Sequence, residues 1–181
     1  LPKIALISVL PSDSTKPVSV TPLSTTVSSA STPDEQAKGL TALGISGTVE
    51  ELLTTDTWAA AEAGDTTAQD IQRKNQQVGL ILQTAESLVG DDATATSATA
   101  LTEAVAAQIV EIATTNDSVD LTSTATVTEV LSDSVAAVDS TSTVDATAIA
   151  AVADSVADVN TLVSNPDLDP TSDTATDIAE A

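Results

Sequence analysis

The run Asn165-Pro-Asp-Leu-Asp-Pro-Thr-Ser-Asp173 holds the residues of this chain that come nearest to a site. Asn165, Asp167, Asp169 and Asp173 fall at positions 1, 3, 5 and 9 of a calcium-loop spacing, and hard oxygen donors are what Ca²⁺ takes. Two departures count against such a loop. Its sixth position is Pro170 instead of the glycine that the sharp turn needs, and its twelfth is Thr176 instead of a bidentate glutamate. The same residues fit better as a solvated acidic linker held open by two prolines. Ca²⁺ is thus the one cofactor that the sequence suggests, with these four residues as candidate ligands.

Other chemistry is limited by what the chain lacks. Its 181 residues include no His, Cys or Met and a single aromatic, so zinc fingers, haem or iron–sulfur ligation, His-activated nucleophiles and disulfides are excluded. Twenty-seven acidic against 5 basic side chains give a net charge of −22, which argues against nucleic acid as a partner. Glu50 and Glu51 are adjacent and point to different sides of a helix, so they do not form a paired-carboxylate site. Asp91-Asp92 reads as part of a turn. Arg73-Lys74, the sole basic pair, suits a salt bridge to Asp70 or Glu62, or docking to an acidic surface. Trp58 either fills the gap where short helices meet a long one or serves as a binding anchor. Asn116-Asp-Ser118 is a formal glycosylation sequon.

The elements that carry these residues are mainly helical. Leu 16, Ile 9, Val 19 and Trp 1 make up about a quarter of the chain, enough for a thin core. With almost no aromatics, such a core favours aliphatic stripes and close alanine packing between helices. Thr21-Pro22 and Thr32-Pro33-Asp34-Glu35 mark helix starts, the second with Glu at the capping-box position, and Gly44 marks a stop. A short helix is expected at Val49–Thr54. Asp56 caps a second short one that ends at Gly64, and Asp65-Thr66 opens a long helix reaching Gly90. Three more follow near Ser97–Thr115, Ser123–Asp139 and Asp145–Ser164, with connections short enough for antiparallel hairpins.

Two helices show coiled-coil-like a/d seams. Ile71, Asn75, Val78, Leu82, Ala85 and Val89 step by 4 and 3, as do Ile149, Val152, Val156, Val159 and Val163. Asn75 on its seam either fixes register as a buried amide or sits at a wet bundle end. Before the helices, Ile4–Leu10 is nearly continuously apolar and closed by Pro11. It reads equally as a short strand that pairs with a neighbour or as an extended linker packed across helices. Pro17–Val20 is a second β-like piece. No stretch approaches the about 18 apolar residues of a membrane span. The expected organisation is an extended segment over 1–20, a helical subdomain over 21–90, an acidic helical hairpin over 91–164, and an acidic linker with the start of a further helix over 165–181. Leu at position 1 and the helix-like last residues suggest a processed product or a segment of a larger polypeptide.

Val20-Thr-Pro-Leu-Ser-Thr-Thr-Val27 resembles a "TPLTTLV" element. Glu51-Leu-Leu-Thr-Thr-Asp-Thr-Trp-Ala-Ala-Ala-Glu-Ala-Gly-Asp65 with Asn75-Gln-Gln-Val78 resembles a "DPxAAAxxGD…NQQV" helical element, with Thr57 in place of the usual Pro. Both elements are similar to helical regions of large secreted or cell-surface, adhesin-like, RTX-associated proteins of marine bacteria. The match covers roughly residues 18–90 and implies an extracellular, structural or adhesive setting without catalytic residues.

All five basic residues lie in the first 74 positions, and 18 acidic residues stand unopposed from Asn75 onward. Their repulsion requires screening by salt or bound cations, which also points outside the cell. The expected function is a non-enzymatic module of an adhesin, surface layer or filament that associates with itself or with other surface proteins. Ile4, Ile7, Val9 and Trp58 are the candidate contact residues. The alternatives are a monomeric extracellular calcium- or ligand-binding module and a virion or appendage structural protein.

Overall fold

Each helix start marked in the sequence by a Thr-Pro or Asp signal is made in the computed structural model, which describes residues 4–12, 15–89, 95–138 and 144–172. Among these residues the chain forms α1 (Pro22–Ser28), α2 (Pro33–Ala42), α3 (Val49–Thr54), α4 (Thr57–Glu62), α5 (Thr66–Val89), α6 (Ala95–Thr115), α7 (Thr124–Val138) and α8 (Ala146–Val163). Thr21, Thr32 and Thr48 close capping boxes with Ser24, Glu35 and Glu51, so two first-turn donors are satisfied reciprocally in each helix. Asp56, Asp65 and Asp145 accept first-turn N–H groups of α4, α5 and α8. Gly44 (φ 77°) and Gly64 (φ 89°) end α2 and α4 in the left-handed region that glycine enters without a Cβ penalty.

The protein is mainly helical, with its helices packed against one another. Leu23 and Val27 of α1, Leu40 of α2, Leu52 of α3 and Val78, Ile81 and Leu82 of α5 share one cluster of buried side chains with Val105 and Ile109 of α6, Leu131 of α7 and Val156 of α8. Aliphatics from both sides of the subdomain boundary expected near residue 90 therefore meet in a single core. Ala61, Ala68, Ala85, Ala106, Ala153 and Ala157 are buried, as close approach of helices without aromatics requires.

α5 is the central element, touched by α1, α4, α6, α7 and α8. Its seam residues Ile71, Asn75, Val78, Leu82 and Ala85 are buried, and so are Gln72, Arg73 and Gln77. The covered surface is therefore wider than a two-position seam, because neighbours approach from more than one side. Ile149, Val156 and Val163 of α8 are likewise buried, accompanied by Ala153, Ala157 and Asn160. Although it lacks an unbroken apolar run, α8 is long and apolar enough by length and mean hydropathy (1.3) to cross a membrane. Here it carries Asp154 and Asp158 outward and packs along α5 and α7.

No strand forms among the described residues. Ile4–Leu10 runs along α1 instead, with the Ile7 and Val9 N–H groups donating to Thr25 Oγ1 and Ser28 Oγ, both at 3.1 Å. Within the chain this is the packed-linker arrangement, since a helix offers side-chain acceptors but no open backbone edge to pair with. Pro17–Val20 forms no strand either. A backbone bond from the Ser19 N–H to the Leu53 carbonyl at 2.7 Å ties it to the end of α3.

Candidate functional site

The polar side chains of residues 72–77 on α5 form the densest hydrogen-bonded constellation described. Six consecutive helical residues span more than one full turn, so they reach neighbours on every side. Gln72 Nε2 donates to Thr57 Oγ1 at 2.6 Å, which ties the first residue of α4 to the central helix. The Thr that stands where the resembled pattern has Pro thus gains a partner that proline lacks. Asn75 Oδ1 accepts the Leu23 N–H of α1 at 3.1 Å. Gln77 Nε2 donates to the Asn160 carbonyl in the last turn of α8 at 3.0 Å and to Ser164 Oγ just beyond it. That carbonyl also accepts the Ser164 N–H at 3.0 Å and hydroxyl at 2.8 Å, so the amide joins an end of α8 that its own cap already closes. Asn160, fully buried, passes the connection on through Nδ2 to the Leu121 carbonyl at 2.7 Å.

The candidate calcium run sits against this same strip. Arg73, only 8% exposed, sends Nη2 to the carbonyls of Pro166 (3.2 Å) and Leu168 (3.0 Å) and Nη1 to Asp70 Oδ1 (3.0 Å), the ion pair expected from the sequence. Gln76 Nε2 donates to the Pro170 carbonyl at 2.9 Å, and Pro170 is buried. The run is therefore not an open linker, as the composition suggested. An arginine fork and a glutamine fold it onto α5. Its oxygens turn to the loop's own backbone: Asn165 Oδ1 accepts the Asp167 N–H at 3.0 Å, and Asp169 Oδ1 accepts the Thr171 N–H at 2.9 Å and hydroxyl at 2.7 Å. These bonds hold the Asp169 carboxyl below the usual aspartate range. Asp167 is exposed, Asp173 lies outside the described residues, and no group of three acidic side chains converges among those described. Asp91 and Asp92 also lie outside them.

Lys74 is the other cation of the strip. Its Nζ donates to Gln77 Oε1 at 2.9 Å. Burial holds the ammonium below the ordinary lysine range, and the charges of Asp120 and Asp70 oppose that shift. Asp120 is itself lowered, first by the Thr122 hydroxyl and N–H that it accepts.

A cleft of about 340 Å³ opens between α3, α4 and the start of α5, lined by Ile45, Leu52 and Ile71 with Thr48, Glu51 and Asp65 among its polar groups. Both carboxylates there are helix caps. Glu51 Oε2 accepts the Thr48 N–H at 2.7 Å and hydroxyl at 2.9 Å, which hold its carboxyl below the usual range, and Asp65 Oδ1 accepts the Ala68 N–H at 2.9 Å. Trp58 stands 44% exposed on α4, so it does not fill an interior gap. Of the N-terminal candidates, Ile4 is partly buried against the core, while Ile7 and Val9 are exposed. Asn116 of the sequon is exposed just after α6.

The sequence singles out Arg73, Lys74 and Asn75 of the α5 strip one by one, without joining them to Gln72, Gln76 and Gln77. The strip's one sequence signal is the density of amide and guanidinium side chains from Gln72 to Gln77 on a helix with an aliphatic seam. The chain matches no family model, no curated protein and no solved structure.

Proposed function

We propose that the chain is a non-enzymatic structural module of an extracellular assembly, such as a cell-surface adhesin, a surface layer or a filament. The observation that carries this reading is the use made of the polar side chains. Arg73, Asn75, Gln76, Gln77 and Asn160 are committed to helix ends and connecting loops, and Glu51 and Asp65 at the cleft are committed to caps. Bonds of this kind fix one helix end or loop against another, which is the use a structural module makes of its polar side chains. In this reading the helices pair as antiparallel hairpins along coiled-coil-like seams, and Ile4–Leu10 supplies a subunit contact to another copy or another surface protein. Secretion accords with a net charge of −22 that needs external salt or Ca²⁺ for screening, and with the resemblance over residues 18–90.

The test is a Ca²⁺ titration of the full chain with particle size followed by light scattering. Growth into large assemblies is the expected result. Saturable Ca²⁺ uptake by a species that stays monomeric overturns the reading in favour of a calcium-binding module.

A further inference from the structure

The segment that lies along α1 is held from one side only. Successive residues of an extended chain direct their N–H and C=O groups to opposite edges. Because Ile7 and Val9 donate to Thr25 and Ser28, the backbone groups of Leu6, Ser8 and Leu10 face away from α1. Among the described residues, none accepts a hydrogen bond from these three N–H groups. Apolar side chains accompany the open edge, with Leu10 82% exposed and Leu6, Ile7 and Val9 each more than a third exposed. Edges of this kind are templates for pairing with another chain.

We propose that this edge pairs with the same edge of a second copy of the chain, antiparallel and centred on Ser8, so that Leu6 of each copy faces Leu10 of the other. The inference rests on the structural-module reading and names the contact within it. Two features select a second copy as the occupant. The free residues 6, 8 and 10 are symmetric about Ser8, so a two-fold axis there brings each free N–H onto a free C=O, as an isologous contact requires. Pro11, without an N–H, ends the ladder just beyond Leu10. The second feature is charge. Two chains of net charge −22 repel, and residues 4–10 contain no ionisable side chain, so the ladder itself sets no carboxylate against another; the Glu50 carboxylate lies beyond Pro11, where its Oε2 accepts the Ser12 N–H at 3.2 Å. Glu103 of α6 lines the groove that Thr25 and Ser28 share with the segment, on its held side. A basic partner, by contrast, is drawn to the carboxylate-rich helices. A single strand pair is small beside a standard interface, so the dimer is weak and concentration-dependent.

The test uses the full chain in salt sufficient to screen its charge, with mass followed by sedimentation velocity across a concentration series. The wild type is expected to shift from monomer to dimer. Ser8→Pro, which removes the central outward N–H and keeps both inward ones, is expected to remain monomeric with unchanged far-ultraviolet circular dichroism. Register is read separately, because the chain has no cysteine of its own. Facing residues in an antiparallel pair stand about 5.5 Å apart at Cα, within disulfide range. A mixture of Leu6→Cys and Leu10→Cys chains should therefore form a disulfide dimer on mild oxidation faster than either variant alone. Equal rates overturn the register, which covers the case of a Ser8→Pro chain that fails to fold. A dimer that survives Ser8→Pro overturns the inference and leaves the structural-module reading standing. A monomer at every concentration that takes up no Ca²⁺ also overturns the inference alone, and one with saturable Ca²⁺ uptake overturns both.

Discussion

The carboxamide oxygen of Asn75 accepts the backbone N–H of Leu23 at 3.1 Å across 52 residues of sequence. Pro22 at the first helical position has no N–H, Ser24 is capped by the Thr21 hydroxyl, and Thr25 bonds the Thr21 carbonyl at 2.9 Å. Asn75 therefore supplies the acceptor that the first turn of α1 still needs, which allows a seven-residue helix with five buried residues to sit against α5. Asn75→Leu, close to it in size, leaves the Leu23 N–H buried without a partner and should cost about 1–3 kcal/mol. Asn75→Asp keeps the oxygen and adds a negative charge at a helix N-terminus, so it should remain near wild type. Urea unfolding of the three proteins measures this, and equal losses in both variants refute the capping role.

Arg73 should be irreplaceable by lysine. Its guanidinium reaches two loop carbonyls and a carboxylate together, and one ammonium on a flexible stem does not reproduce that fork. Arg73→Met is expected to lose about 2–3 kcal/mol and to open the 165–172 loop to proteolysis, with Arg73→Lys close behind. Limited proteolysis mapped by mass spectrometry checks this. A loop equally resistant in all three proteins shows that the arginine does not hold it.

Acid should weaken the caps in a traceable way. Thr48 lowers the Glu51 carboxyl beneath its ordinary 4.5, while Thr122 and Thr171 lower Asp120 and Asp169 beneath 3.8. A folded-state value below the unfolded one gives stability that is present above the unfolded value and lost as pH falls through the folded one. Stability is therefore expected to fall away below those values. Glu51→Gln keeps the capping geometry without the titration. It should be less stable than wild type at neutral pH and converge with it in acid, which gives a shallower acid limb in denaturant unfolding between pH 3 and 7, as read by circular dichroism. An acid limb identical to wild type removes Glu51 from the account.

Sodium chloride should stabilise the fold. The 18 acidic residues from Asn75 onward face no basic partner in that half, so raising ionic strength shortens the range of their repulsion. The thermal midpoint is expected to rise by several degrees between low and molar salt, equivalent to about 1–2 kcal/mol for a chain of this size. A flat or falling midpoint contradicts this view of the charge.

The helices could be read from the sequence because their signals are local. Thr21, Thr32 and Asp56 sit beside the donors they satisfy, and Gly44 and Gly64 sit at the turns they permit, so each start and stop is set within a few residues. The role of the acidic run 165–172 was not legible, because its shape is set by Arg73 and Gln76, more than 90 residues earlier. Nor was the cap supplied by Asn75. Seam periodicity places a residue on the inner side of a helix without naming what it meets there. Trp58 illustrates the same limit, since a lone aromatic among alanines looks like core until the packing of α4 on α5 leaves it outside.

The strip on α5 also bears on the order in which the chain can fold. Gln77 and Arg73 wait for partners 83 to 95 residues further on, in the end of α8 and the loop after it. A nascent chain that has emerged only as far as α5 has therefore formed its central helix without the acceptors that complete it. High contact order slows folding, and here the delay falls on the element to which the end of α8 and the loop after it are tied. Arrival of α8 and the loop after it should consequently be the step that completes the polar ties of α5, and amide protection in α5 should rise together with that in α8.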